Sequence, residues 1–417
     1  VDLREDRPGE GTGALARICG MPALARTLLV LERKGYGRAL LLVHPDDRAL
    51  VQRTLERTGR ALPELTWVED EGLALAPLRD AAGDAAALLY WPGALTFGRL
   101  APELVTRTPP AGGALVGEGG APALLSPGAL ARGAGLPVQR ALAGLAAGAD
   151  ELELEPELEP IWLRGPDDAR RAEEALLISL RKPEDGVVAR YDRHVSLAIS
   201  RRMMGLDLHP NWITLCAGLV GVACGLLAAH GGYFWLLAGA LLFQLNSILD
   251  GIDGEVARAK LLESRAGQWL DTITDDTSNL FFTVGAAVGC YQTWGSPVYL
   301  VLGAITGFGF VLTAVLEYHY LITVAKSGDL NRFRMPWEEE QEADTPAAPP
   351  RGMAAVLERL RFIVRRDTFV FITTIFAVLG QLRVMIWFFA LGASIVWVSI
   401  LVYRVLLPLL RRGTGAA

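Results

Sequence analysis

Cysteine is scarce in this 417-residue chain, and its four copies, Cys19, Cys216, Cys224 and Cys290, are scattered. They form neither a disulfide framework nor a zinc-ligand spacing, so those two classes are set aside. Excess positive charge is missing as well. With a net charge of −6 and a pI near 5.6, the chain is not a general nucleic-acid binder. The opening VDLREDRPGE has no basic segment leading into an apolar core, so no cleaved signal peptide is expected there. Long apolar runs are absent from the first half, which reads as soluble and rich in Ala, Gly and Leu; they crowd into the second. Hydrophobic residues make up 51% and mean hydropathy is +0.30, more than a soluble two-domain chain needs.

Six apolar segments of the second half, at about 211–230, 233–252, 271–292, 297–324, 367–383 and 385–408, come near the ~20 residues a bilayer requires. Basic residues gather before the first, in the 258–265 loop, in the 326–366 connection and at Arg411 and Arg412. The opposite hairpins, near Gly231 and Gly295, are short and uncharged apart from Arg383. By the positive-inside rule this predicts a multi-pass protein of the cell (inner) membrane with both termini facing the cytoplasm. The middle of the 326–366 loop is acidic and Pro-rich, and Met353–Arg365 reads as an amphipathic helix.

The stretch Asp250–Asp275, DGIDGEVARAKLLESRAGQWLDTITD, joins the second and third segments. Asp250 and Asp253 are spaced i,i+3 and Asp271 and Asp275 i,i+4, so each pair shares one helix face. Carboxylates at the edge of hydrocarbon are costly unless paired or holding a cation. Four converging from adjacent helices predict a divalent-metal site open to the cytoplasm.

These residues fit the pattern D-x-x-D-G-x-x-A-R-x(8)-G-x-x-x-D-x-x-x-D, filled here by Asp250, Asp253, Gly254, Ala257, Arg258, Gly267, Asp271 and Asp275. On them the chain resembles the CDP-alcohol phosphotransferases. The resemblance implies a six-helix integral membrane enzyme that displaces CMP from a CDP-linked donor by the hydroxyl of an acceptor alcohol, using two divalent cations. It implies Mg²⁺ or Mn²⁺ for turnover, with Ca²⁺ an occupant that does not support it, and a homodimer. Asp250, Asp253 and Asp271 are implied metal ligands, and Asp275 the base for the acceptor hydroxyl and also a ligand. Gly254, Ala257 and Gly267 are small where a nucleotide approaches the backbone. Arg258 either neutralises a phosphate or pairs with an aspartate. Asn211, in the P-N-x-x-T of Pro210, Asn211 and Thr214, either contacts the nucleotide or starts the helix. Arg201, Lys326 and Arg366 are candidates for an anionic acceptor, or else basic residues at the membrane interface.

Residues 1–150 alternate helix-like and strand-like segments, as an α/β domain does. The passage from Ile18 to Glu56 resembles the first third of sugar-phosphate nucleotidyltransferases. The Gly-rich loop and basic pair of that family are missing before Cys19, and Trp91-Pro92-Gly93 stands where its metal-binding Asp is expected. A degenerate, non-catalytic domain follows. Residues 151–209 are read as an acidic linker and amphipathic juxtamembrane helices, and 210–412 as the membrane domain. The segments SLRKPEDGVVARY and HPNWIT are similar to the branch that makes di-myo-inositol phosphate phosphate, which implies a CDP-inositol donor and an inositol phosphate acceptor. A CDP-diacylglycerol-dependent phospholipid synthase is the alternative, and a non-catalytic scaffold or cation transporter the alternative of another class.

Overall fold

The structure is a computed structural model. It describes residues 13–33, 35, 37–68, 88–90, 94–95, 114–116, 123–126, 150–151, 161–163, 166–180, 187–328 and 366–402. The chain divides into two compact units, Val1–Leu180 and Arg181–Ala417.

The first unit is built of α and β elements. Strands β1 (Arg17–Ile18) and β2 (Met21–Pro22) form an antiparallel pair ahead of helix α1 (Ala23–Arg33). Arg26 of α1 is buried at 2% exposure, its Nη2 donating to the Ile18 carbonyl at 3.3 Å. Burial holds its pKa down, at about 10. Strand β3 (Arg38–Leu42), helix α2 (Pro45–Glu56) and strand β4 (Glu64–Val68) make a parallel βαβ unit. His44 caps α2, its Nδ1 accepting from the Asp46 amide, so it is a turn residue. Strands β5 (Leu88–Tyr90), β6 (Ala94–Leu95), β7 (Ala114–Val116), β8 (Ala123–Leu125), β9 (Asp150–Glu151) and β10 (Ile161–Trp162) complete the described sheets, in which β5-β8-β7-β9 is the largest. Helix α3 (Pro166–Ser179) belongs to this unit. The residues 91–93 that distinguish the chain from nucleotidyltransferases lie outside the described residues.

The second unit is helical. Helix α4 (Val187–Met204) precedes six more: α5 (Pro210–Ala229), α6 (Tyr233–Ala259), α7 (Arg265–Trp294), α8 (Val298–Tyr320), α9 (Arg366–Val378) and α10 (Leu382–Leu401). These six occupy the six apolar segments of the sequence. Among the described residues, three helical stretches are long and apolar enough to cross a membrane: Pro210–Ala229, Tyr233–Ala259 and Val298–Ala325. Helix α7 spans 30 residues but carries Asp271, Asp275 and Asp276, and α9 is 13 residues long. The predicted helix at Met353–Arg365 lies outside the described residues.

Small residues decide how these helices pack. Gly221 of α5 faces Ser278 of α7, Gly225 faces Phe281 and Gly285, and Gly289 of α7 faces Ala228. A Cβ at Gly285 would lie 2.1 Å from the Gly225 carbonyl oxygen, and one at Gly289 1.9 Å from that of Ala228. The two backbones therefore touch. Below them Phe243 of α6 stacks on Phe282 of α7, ring centroids 4.2 Å apart and both fully buried. The turn between α6 and α7 is short. Leu261 takes a left-handed conformation (φ 53°), the Leu262 amide bonds back to the Ala257 carbonyl, and Ser264 caps α7. That turn brings the residues around 250 beside those around 271.

Candidate metal centre

Asp250 sits in the last turns of α6, and Asp271 and Asp275 share one face of the first turns of α7. Each offers a carboxylate oxygen, and the three oxygens lie within 4.8 Å of one another. Asp271 Oδ1 is buried and has no hydrogen-bond partner. Three hard oxygen donors this close, one of them unsatisfied, suit a cation such as Mg²⁺, which is held by a few carboxylates plus substrate phosphates.

Asp253 stands apart from this trio. It is buried one turn further along α6, and its Oδ2 accepts a short hydrogen bond from the Thr214 hydroxyl of α5. The four carboxylates expected from the sequence thus resolve into a group of three and one acid held by α5.

Arg366, the first residue of α9, supplies the positive charge. Its Nη1 lies 3.1 Å from Asp250 and 2.5 Å from Asp275, and its Nη2 donates to Asn246 Oδ1 at 2.9 Å. Asn246 is buried on α6 one turn before Asp250, and its amide nitrogen donates to the Ala217 carbonyl of α5 at 2.7 Å. Asn246 therefore fixes the angle at which the guanidinium meets the acids.

The small residues of the pattern have visible reasons. A Cβ at Gly254 would lie 3.0 Å from Arg258 Nη1, so glycine lets the guanidinium fold back along α6. Arg258 Nε and Nη2 are buried with no hydrogen-bond partner, donors still to be satisfied. A Cβ at Gly267 would come within 3.1 Å of Ser264 Oγ and 3.3 Å of Asn211 Oδ1, which places Asn211 at the start of α7. Ala257 is half-buried between these groups. After α8 a π-helical turn, Leu321–Ala325, ends at Lys326 in a left-handed conformation (φ 49°). The chain then crosses the start of α7, where Thr272 Oγ1 donates to the Gly328 carbonyl at 2.7 Å. Lys326 and Arg201 are both exposed.

Three contributors were not singled out by reading the sequence: Asn246, Glu255 and Asp276. Asn246 interrupts the apolar run Phe234–Leu249 four residues before Asp250, a signal available in the sequence. Asp276 accepts from the Tyr318 hydroxyl at 2.7 Å, and Tyr318 meets Trp269 edge to face.

Helix α4 runs alongside α6 in the same direction. Asp192 meets Gln244 at 3.2 Å, Ser196 and Ser200 meet Glu255, and Lys260 reaches the Leu206 carbonyl at 2.5 Å. Burial, together with the charge of Asp367, raises the Asp192 pKa from 3.8 to about 6, against the lowering effect of the Gln244 bond. A raised value means the folded protein prefers the protonated form. That stabilisation is complete below pH ~4 and is lost as pH rises through about 6. Asp192→Asn is therefore expected to raise the melting temperature by about 2–4 °C at pH 8 and to leave it unchanged at pH 4. Thermal melts of the purified chain at both pH values check this, and an equal shift at both would contradict it.

Residues 207–403 match the family described as CDP-alcohol phosphatidyltransferase. The chain is 28% identical over 221 residues to the bifunctional IPC transferase and DIPP synthase of Aquifex aeolicus, covering 52% of this chain and 44% of that protein. It is 33% identical over 141 residues to the protein so named from Archaeoglobus fulgidus, covering 33% and 28%. It is 30% identical over 108 residues to the archaetidylinositol phosphate synthase of Pyrococcus horikoshii, covering 25% and 55%. The chain thus spans less than half the length of these two bifunctional relatives.

Proposed function

We propose that residues 207–403, which match the family described as CDP-alcohol phosphatidyltransferase, make the chain a membrane enzyme that moves a phosphoryl-alcohol group from a CDP-alcohol to an acceptor hydroxyl and releases CMP. The observation that carries this is the trio Asp250, Asp271 and Asp275, three carboxylate oxygens within 4.8 Å on two helices of that domain. We assign these three and Asp253 to holding divalent cations, Mg²⁺ or Mn²⁺. Cations bound there supply charge stabilisation to the attacking and leaving oxygens of an in-line displacement.

The chain's own residues do the rest. Asn211, Gly254, Ala257, Arg258 and Gly267 line the place for the cytidine diphosphate. Arg258 brings unsatisfied buried donors to it, and the glycines leave room for backbone approach. Asp275 accepts the proton of the acceptor hydroxyl as the new phosphate–oxygen bond forms and the bond to CMP breaks. Arg366 lies beside Asp275 and so is placed to receive an anionic acceptor, with Arg201 and Lys326 as further cations. A CDP-inositol-like donor and an inositol phosphate acceptor are favoured by the two bifunctional relatives' names. The Pyrococcus relative's name favours the second reading, a lipid donor. Six spans, a cytoplasmic site facing the inner leaflet, a homodimer and an accessory N-terminal domain complete the proposal.

The test is CMP release by the full chain in lipid nanodiscs, offered CDP-inositol with inositol phosphate or CDP-diacylglycerol with inositol phosphate. Mg²⁺-dependent release from one donor is expected, lost on adding EDTA and restored by excess Mg²⁺ or Mn²⁺. No release from either donor would overturn the reading.

A further inference from the structure

Glu255 lies inside the carboxylate-bearing pattern but on the opposite side of α6 from Asp250, and it is fully buried. A buried carboxylate is retained only where donors satisfy it. Here all of them come from α4. Ser196 Oγ donates to Oε1 at 2.7 Å, Ser200 Oγ to Oε2 at 2.6 Å, and Arg193 Nη1 to Oε1 at 2.9 Å. The two helices approach closely at this level, a Cβ on Gly251 standing 3.6 Å from Ser196 Oγ.

Arg258 is three residues further on, so it stands next to Glu255 on the helix surface. The charges acting on it include Arg193, Glu255, Glu263 and Asp253. Arg193 carries the same sign as Arg258 and is ion-paired with Glu255, Nη1 to Oε1 at 2.9 Å. Resting on the proposed CDP-alcohol chemistry, we propose that Glu255 is a positioning residue: by holding the Arg193 guanidinium on α4, it leaves Arg258 folded over Gly254 and free to meet a nucleoside diphosphate. Without Glu255, Arg193 is released beside Arg258 and repels it. Without Arg193, Glu255 draws Arg258 to itself. Charge balance between the two sets the donor site, and neither touches substrate.

The probe is CDP, with Mg²⁺ present, binding to the full chain in nanodiscs by equilibrium dialysis. Glu255→Gln is expected to weaken CDP about tenfold, the scale of one charged hydrogen bond. Arg193→Met alone is expected to weaken it similarly. The double variant Glu255→Gln/Arg193→Met is expected to recover most of the CDP affinity, while the melting temperature without CDP stays within about 2 °C of wild type in Arg193→Met, a split between binding and stability that a merely structural loss does not give. If Glu255→Gln does not fold, Arg193→Met alone still decides, because unchanged CDP affinity there overturns the proposal. Additive losses in the double variant overturn it as well. Wild-type chain that binds no CDP would instead remove the phosphotransferase reading, and this inference with it.

Discussion

Asp271→Asn is expected to abolish CMP release. Asp271 belongs to the trio, and its Oδ1 is buried with no hydrogen-bond partner. An amide of the same size keeps the packing of α7 but presents a neutral donor group where the cluster needs an anionic acceptor. Loss of one ligand removes several kcal/mol of charge stabilisation, so at about 4 kcal/mol the rate falls about a thousandfold. The melting temperature should not fall, because the substitution also relieves repulsion among close carboxylates. Steady-state CMP release at saturating Mg²⁺, with a thermal melt of the same sample, measures both. Asp250→Asn should behave differently in one respect, because it also takes an ion-pair partner from Arg366. Turnover of Asp271→Asn within tenfold of wild type would refute the assignment.

Gly285→Val is expected to prevent folding of the helical unit. Between membrane helices no hydrophobic force compensates for lost contact, so close backbone packing is what holds them together. At Gly285 even a Cβ would stand 2.1 Å from the Gly225 carbonyl oxygen and 2.9 Å from its Cα, and backbone on both sides leaves nothing flexible to yield. The helices must separate, which undoes the matching contacts at Gly221 and Gly289. Overpacking costs typically about 1–3 kcal/mol per site and more where nothing can yield, a large part of a domain's stability. Gly285→Ala should fold with a lower melting temperature, and valine should yield no monodisperse protein on size exclusion. By contrast, Gly392→Ala meets open space and serves as the control. Normal yield and melting of Gly285→Val would show that the crossing is not what it seems from these distances.

Much of this was legible in the sequence because its signals are local. Within the alternation of helix-like and strand-like segments over residues 1–150, helices are found at Ala23–Arg33 and Pro45–Glu56 and strands at Arg38–Leu42 and Leu88–Tyr90. Helical periodicity and turn residues suffice for those. The spacing of the aspartates likewise placed Asp250, Asp271 and Asp275 together, since a short hairpin leaves two helices little choice but to lie side by side. What could not be read was long-range. Nothing near Arg366 says that it meets Asp250 across 116 residues, or that Asn246 orients it. The hydrogen bond between Asp253 and Thr214 depends on how α5 leans against α6, where Gly239 of α6 lets the Cys224 carbonyl and Ala228 of α5 come close.

The ion pairs of Arg366 bear on how the chain is made. Synthesis proceeds from the N-terminus, so Asp250, Asp271 and Asp275 leave the ribosome well before the guanidinium that balances them. Until α9 arrives, the three acids lie without the guanidinium that meets Asp250 and Asp275. Maturation in the bilayer therefore cannot finish helix by helix; it waits on a late-made segment to close the circuit.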